Sequence, residues 1–203
     1  IWLLIGSLSL KTDEPGEDRF ANRSFLIVPD GGIRARYDKL HMFDVTVSER
    51  ESYRESAAFR PGAQAVLAKG PMPVGMTVCY DLRFPHLYRA LAQAGAEVLT
   101  IPAAFNDTTG AAHWEVLLRA RAIETGCYVL APAQCGLHPT HFDPERQPRR
   151  SHGHSLAVDP WGRVLADGGT EPGVTFVELD PEAVVGARSR IPSLTHARKF
   201  SGP

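Results

Sequence analysis

Cys79 is the side chain of this 203-residue sequence best placed to act as a nucleophile. It ends the apolar run 74–78, which reads as a buried strand. Asp81, Arg83 and Pro85 follow it, and then HLYRALAQAGAE, which reads as a helix. A strand-to-helix corner holds a nucleophile rigidly with its sulfur facing a cleft. The competing reading is a small core residue, because free cysteine is among the most buried residue types. A purely structural strand end, however, has no need of Asp81 and Arg83 together. Other polar residues stand where the pattern does not require them. Lys39 lies at a strand end in YDKLHMFD and Glu55 lies in YRESAAFRPG. Taken singly, each reads first as a surface charge in water, and His41 as a satisfied core histidine. Asn106, Thr108, Thr109 and His113 follow the strand VLTIPAAF. They stand where the C-terminal ends of parallel strands open into a ligand crevice.

These residues depend on a frame of many short strands. Strand-like runs fall at 1–8, 23–28, 32–37, 65–69, 74–78, 98–101, 128–133, 154–158, 163–166 and 174–179. Loops rich in Gly, Pro, Asp and Asn separate several of them, among them PDGG and DPWGR. Two helices are predicted. One covers 85–94, with Leu87, Leu91 and Ala94 at helical spacing and Gly95 as a stop. The other covers 111–125, with Trp114, Leu117, Leu118, Ala122 and Ile123 on one stripe and Gly126 as its stop. A strand follows each helix, which argues for an α/β domain. The many strand–strand neighbours argue for mixed sheets packed on one another with helices outside. Residues 137–151 read as a polar loop long enough to be a lid or rim.

Composition narrows the function classes. The length fits one large domain, 1–203. A net charge of -1 points to neither nucleic acid nor an anionic membrane as partner. IWLLIG is too short to span a bilayer. Cys79, Cys127 and Cys135 cannot all pair and fit no zinc spacing, so a reducing, cytoplasmic compartment is expected. Opening directly on a strand without an initiating Met suggests a natural chain that is longer at its N-terminus.

Taken in order, these strings resemble a known family. They are YDKLHMFDV, a glutamate sixteen residues after its lysine, FRPG, TVCYDLRFP, the AGAE strand, FNDTTGAAHWEVLLRARAIET and the HGHSLAVDPWG hairpin. The family is the nitrilase, or carbon–nitrogen hydrolase, superfamily, and the likeness runs nearly end to end. Within it the chain is most similar to the Nit branch of ω-amidases and deaminated-glutathione amidases. The resemblance implies a four-layer α-β-β-α sandwich that dimerises through its outer helices. It implies hydrolysis of a small carboxylate-bearing amide with no metal and no organic cofactor. An N-carbamoyl compound or a nitrile is the alternative substrate, and a degenerate subunit acting in binding or assembly is the alternative role. Cys79 maps onto the family's nucleophile, Lys39 onto the lysine that stabilises the oxyanion, and Glu55 onto a supporting glutamate. The backbone N–H of Tyr80 is then a second oxyanion donor.

One element of the family pattern has no counterpart. The general-base glutamate belongs upstream, and Glu14 and Glu17 sit in the hydrophilic stretch KTDEPGEDR, which reads as a solvated loop. The opening strand–helix units are therefore expected to lie outside these residues, and the 203 residues alone are expected to be poorly active. On the substrate side, Arg83 suits a substrate carboxylate, with an ion pair to Asp81 as the alternative. Phe105, Asn106, Thr109 and His113 are candidates for lining the pocket, whereas Trp114 and Phe84 read as core. His138, His141, Arg146, Arg149 and Arg150 put positive charge on the 137–151 loop, which reads chiefly as solvated. His152 and His154 read as structural, and Cys127 and Cys135 as core.

Overall fold

In the computed structural model, which describes residues 1–49, 51–138 and 148–202, two β-sheets share one buried layer of side chains and helices cover the larger sheet. The smaller sheet begins with β1 (Leu3–Leu10), β2 (Phe20–Ile27) and β3 (Ile33–Asp38), antiparallel in that order. A hairpin of β4 (Asp44–Ser48) and β5 (Glu51–Arg54) follows, and β6 (Phe59–Arg60) then pairs in parallel with the start of β2.

The larger sheet takes β7 (Val66–Ala68), β8 (Val74–Met76), β9 (Val98–Thr100), β10 (Tyr128–Ala131), β13 (Leu156–Val158) and β14 (Val164–Asp167), in the spatial order β14-β13-β10-β9-β8-β7. Its three central strands, β8, β9 and β10, are parallel and the outer ones antiparallel. Near-continuous apolar runs such as Tyr128–Ala131 fit strands covered on both faces. Between β10 and β13 lies a second hairpin, β11 (Cys135–His138) with β12 (Arg149–His152).

Helices α1 (Pro85–Gln93) and α2 (Asp107–Thr125) pack on one face of the larger sheet. Pro85 opens α1, where its missing N–H costs no helical hydrogen bond. Trp114, Leu118 and Ala122, four residues apart, turn toward β10 and β13. A leucine buried as fully as Leu118 contributes about 2 kcal/mol. The opposite face of the sheet meets the smaller sheet through Leu26, Tyr37, Met76 and Val78, and meets α3 (Pro181–Arg190) through Val98, Tyr128 and Val184. This is the α/β sandwich that the sequence predicts, with an α-β-β succession of layers among the described residues.

Several expectations need correction. Asn106 accepts a hydrogen bond from the Thr109 N–H at 3.0 Å, so α2 begins at Asp107 and not at 111. Its stop is as predicted, since Gly126 adopts the left-handed conformation at φ 59°. Ile123 is exposed and leaves the buried stripe, while Arg121 takes a buried place, its guanidinium bonded to the Leu82 carbonyl at 3.0 Å. Residues 174–179 form no strand among the described residues. Their alternation suits one, but no described edge pairs with it, and Val174 and Phe176 face solvent. The polar stretch 137–151 is not all loop, because its two ends belong to β11 and β12. The helix α3 lacks a strong apolar stripe and is set instead by its ends. Asp180 caps the Glu182 N–H at 3.0 Å, Pro181 follows, and Arg188 and Arg190 occupy the last turn.

Candidate active site

A cavity of about 990 Å³ opens at the carboxyl ends of the three parallel strands. Cys79 lies just beyond β8, residues 102–106 follow β9 and residues 132–134 follow β10, and all of these reach the cavity. The smaller sheet and the β4–β5 hairpin close the other side through Lys39, Tyr53 and Glu55. This is the crevice that parallel strands of an α/β sheet leave at their C-terminal ends.

The Cys79 corner is built by backbone hydrogen bonds. The Thr77 N–H reaches the Thr100 carbonyl at 3.1 Å, and the Cys79 N–H reaches the Pro102 carbonyl at 3.0 Å. The chain then enters a 3-10 turn over Cys79–Arg83 and passes into α1. Cys79 itself takes φ 52°, a left-handed conformation rare for a residue with a Cβ. Holding it there costs about 1–3 kcal/mol, which the surrounding structure must offset. The Asp81 carboxylate does part of this by accepting the N–H of Val78, just before the cysteine, at 2.9 Å. Tyr80, next after the cysteine, is among the leading N–H groups of the turn, which lack partners inside it. Its ring lies between Phe43 and Phe84, with centroids 5.0 and 5.3 Å away.

Lys39 is only 2% exposed, so its ammonium needs a counter-charge. Glu55 supplies one, with Nζ and Oε2 2.5 Å apart. The same oxygen accepts the Phe43 N–H at 2.6 Å, and Oε1 accepts the Asn22 amide at 3.1 Å. Both carboxylate oxygens are therefore engaged, and the pair is fixed to β2 and to the chain just before β4. The Lys39 backbone is pinned as well. Its N–H donates to the Asn22 carbonyl at 2.9 Å, and its carbonyl accepts the Gly62 N–H at 2.8 Å.

Of the residues singled out in the sequence, Cys79, Lys39, Glu55, Tyr80, Phe105, Asn106 and Thr109 all line this cavity. Arg83 and His113 do not. They meet each other, Nη1 to Nδ1, at 3.2 Å on the α2 side. Arg83 also makes no ion pair with Asp81, whose oxygens are taken by Tyr37, His41 and Val78. Asn106 and Thr109 are tied to the start of α2, and the Asn106 amide donates to Glu51 at 2.8 Å. Phe105 leans on Trp114, 4.8 Å between centroids. Trp114 is core as expected, but Phe84 is half-buried and stacks on His41 at 3.5 Å. His41 is indeed satisfied, its Nδ1 2.7 Å from Asp81 Oδ1.

The charged loops are placed as follows. Glu17 is held down to about pKa 2 by hydrogen bonds from Arg19, and Glu14 pairs with Arg60, so neither reaches the cavity. Arg149 does line it, its guanidinium 5.6 Å from the Tyr53 ring centroid and bonded to the Ala104 carbonyl. Arg150 faces Asp107 at 3.5 Å, and His138 bonds Ser151 at 2.9 Å, while His141 and Arg146 lie outside the described residues. His154 pairs with Asp167 at 2.9 Å and stacks near His152, whose pKa is lowered by burial and by that neighbour. Cys127 is fully buried and its thiol pKa is pushed up by burial; Cys135 is half-buried. Among the described residues no cluster of three His, Cys, Asp or Glu side chains is disposed to hold a metal ion. Asn22, Phe43, Tyr53 and Arg149 contribute to the site without having been singled out as site residues. Only Arg149 carried a signal, as one charge among several on the 137–151 loop.

The carbon–nitrogen hydrolase family model matches residues 1–189. A deaminated glutathione amidase from Synechocystis is 45% identical over 178 residues, covering 86% of this chain and 63% of the relative. The crystal structure of the C. elegans NitFhit protein superposes with a TM-score of 0.86 at 40% identity, covering 98% of this chain and 47% of that one. A mutant amidase from Nesterenkonia, with the acetamide moiety of fluoroacetamide added covalently at its active-site cysteine, superposes at 0.71 with 28% identity, covering 96% of this chain and 66% of that one. The chain thus spans less than two thirds of the length of the first of these relatives.

Proposed function

The chain belongs to the carbon–nitrogen hydrolase family, and from that premise we propose that it hydrolyses the C–N bond of a small carboxylate-bearing amide through an acyl-enzyme on Cys79. The substrate class follows the relatives named deaminated glutathione amidase and includes ω-amides of 2-oxo dicarboxylic acids. One observation carries the reading. A buried ammonium, Lys39, locked to Glu55 at 2.5 Å, lines the same cavity as a cysteine held in a left-handed corner.

An amide carbon is a weak electrophile and calls for a thiolate. The Lys39 ammonium favours that thiolate and then stabilises the oxyanion as Sγ adds to the carbonyl carbon. The Tyr80 N–H is the second oxyanion donor. The C–N bond breaks, the thiol's proton ends on the departing amine, and a thioester remains on Cys79. Water adds to the thioester, the C–S bond breaks, and a carboxylic acid and free thiol are released. Glu55 holds the ammonium in position, with Oε2 bonded to Lys39 and Phe43 and Oε1 to Asn22. Arg149 has one donor on Ala104 and, as a guanidinium, further donors to offer, so it suits the substrate carboxylate better than Arg83 does.

We place the reaction in the cytoplasm, on the strength of three free thiols. Among the described residues no helix is long and apolar enough to cross a membrane. A homodimer is supported by an apolar outer face. Val116 and Ile123 stand two turns apart on α2, 67% and 55% exposed, beside Trp161.

The test is turnover of deaminated glutathione and short dicarboxylic monoamides, with N-carbamoyl compounds and nitriles as competitors. Cys79→Ala and Lys39→Ala should each abolish turnover while the fold persists by circular dichroism. Retained turnover in either would sink the reading.

A further inference from the structure

Asp81 has no part in the chemistry above, yet among the described residues it is the one carboxylate that joins the two corners on which that chemistry depends. Its side chain is wholly buried. Among the described residues no lysine or arginine pairs with it. Four donors serve it instead, two to each oxygen. Oδ2 accepts the Tyr37 hydroxyl at 2.6 Å and the Val78 N–H at 2.9 Å. Oδ1 accepts the His41 N–H at 3.1 Å and faces His41 Nδ1 at 2.7 Å.

The positions of these donors carry the argument. Tyr37 lies two residues before Lys39 and His41 two residues after it, whereas Val78 is immediately before Cys79. One carboxylate therefore grips the lysine corner on both sides and the cysteine corner on its entering side. It bridges two separate sheets, since Tyr37 belongs to β3 and Val78 continues β8. The grip is rigid. Phe84 stacks on the His41 ring at 3.5 Å, and the Tyr37 hydroxyl also accepts the Leu40 N–H at 3.4 Å.

We propose that Asp81 is a positioning residue that sets the placement of the Lys39 ammonium relative to the Cys79 thiol by hydrogen-bonding both chain corners at once. This rests on the reading of Cys79 as nucleophile and Lys39 as its ammonium. Proximity between reacting groups is steeply rate-determining, and a misplacement of about 1 Å can cost about a hundredfold. A buried acidic clamp at the seam between the sheets holds the two chain corners relative to each other, while Glu55 holds the ammonium at the end of the Lys39 side chain.

The experiment compares Tyr37→Phe with Tyr128→Phe. Tyr128 is also a buried hydroxyl, but it bonds the Asp180 backbone at 3.1 and 3.2 Å on the α3 side and makes no hydrogen bond to either corner. Alkylation of Cys79 by iodoacetamide, followed on its own peptide by mass spectrometry, reports the ammonium's influence on the thiol without needing turnover. Tyr37→Phe should slow Cys79 alkylation and lower kcat by about tenfold, the size expected for losing one bond to a buried charge. Tyr128→Phe should leave both unchanged, even if the two variants lose similar thermal stability. His41→Ala should repeat the effect, and His41→Asn, which keeps a donor near Nδ1, should restore most of it. Equal alkylation and equal kcat in Tyr37→Phe and Tyr128→Phe would overturn the proposal and leave Asp81 a structural residue. Full turnover by Cys79→Ser would instead overturn the function reading, and the alkylation comparison would still decide the role of Asp81.

Discussion

At the scale of single residues, the site is a set of buried polar groups whose partners were chosen by the fold. Arg149 carries the substrate prediction. It stands on the cavity wall beside Tyr53, already tethered to Ala104. Arg149→Met keeps an unbranched apolar stem and removes the charge, so kcat/KM for a carboxylate-bearing amide should fall by about tenfold to a hundredfold, chiefly through KM. The corresponding uncharged amide should lose little, and an equal loss for both would contradict the assignment. Tyr37 carries a pH prediction. Burial, and then the Asp81 charge, raise its hydroxyl pKa above the ordinary value of 10. The unfolded chain ionises there near pH 10 while the folded one stays neutral. The stability it contributes is complete below that pH and is lost as the pH rises above it, by about 1.4 kcal/mol per pH unit. Urea midpoints of the wild type should therefore fall more steeply than those of Tyr37→Phe between about pH 9 and about pH 11. Parallel slopes would rule this out. The sequence exposed Cys79 and Lys39 by type and order, because a cysteine at a strand end beside polar residues departs from pattern. It did not expose Asn22, Phe43 or Tyr53. Their parts depend on long-range pairing between strands that no local spacing encodes.

At the scale of elements, close approach of chain segments does the positioning. Gly62 follows β6 and lies against the end of β3, where an added Cβ would sit 2.2 Å from the Asp38 carbonyl oxygen. That carbonyl belongs to the residue before Lys39, and the Gly62 N–H binds the Lys39 carbonyl itself. Gly62→Ala should cost about 1–3 kcal/mol of stability through overpacking. It should also lower kcat by up to about a hundredfold through displacement of the ammonium. Thermal melts and kinetics would check both, and an unchanged kcat would remove Gly62 from the lysine's support. Local signals served the elements unevenly. Pro85 and Gly126 marked helix ends with a physical mechanism, whereas the Asn106 cap went unread and α2 starts four residues before the expected 111. The strand expected at 174–179 failed because alternation says nothing about whether an edge is available to pair. Residues 181–190 escaped notice because their helix is fixed by its ends and not by an apolar stripe.

At the scale of the whole molecule, the α/β sandwich brings three parallel strand ends against the smaller sheet, and the cavity is the space between them. Its outer surface carries the dimer proposal. Trp161 lies in the turn that packs on Ile123, with Arg190 over its ring at 4.1 Å, so exposed apolar side chains of α2 and that turn stand close together. Ile123→Glu should halve the molecular mass measured by sedimentation, because burying an unpaired charge in an apolar interface is strongly disfavoured. An unchanged mass would move the interface elsewhere or deny it. Mixed sheets packed on one another with helices outside were legible because many short strands and two helices each followed by a strand leave few arrangements, whereas the order of the strands depends on long-range pairing that no local spacing encodes. The central claim remains chemical, that an acyl group passes through Cys79. The most direct measurement is rapid acid quench of the protein turning over deaminated glutathione, with mass spectrometry of the Cys79 peptide. The account predicts a transient thioester on Cys79 that forms and decays at rates sufficient for turnover and is absent in Lys39→Ala. Steady turnover with Cys79 unmodified throughout would contradict it.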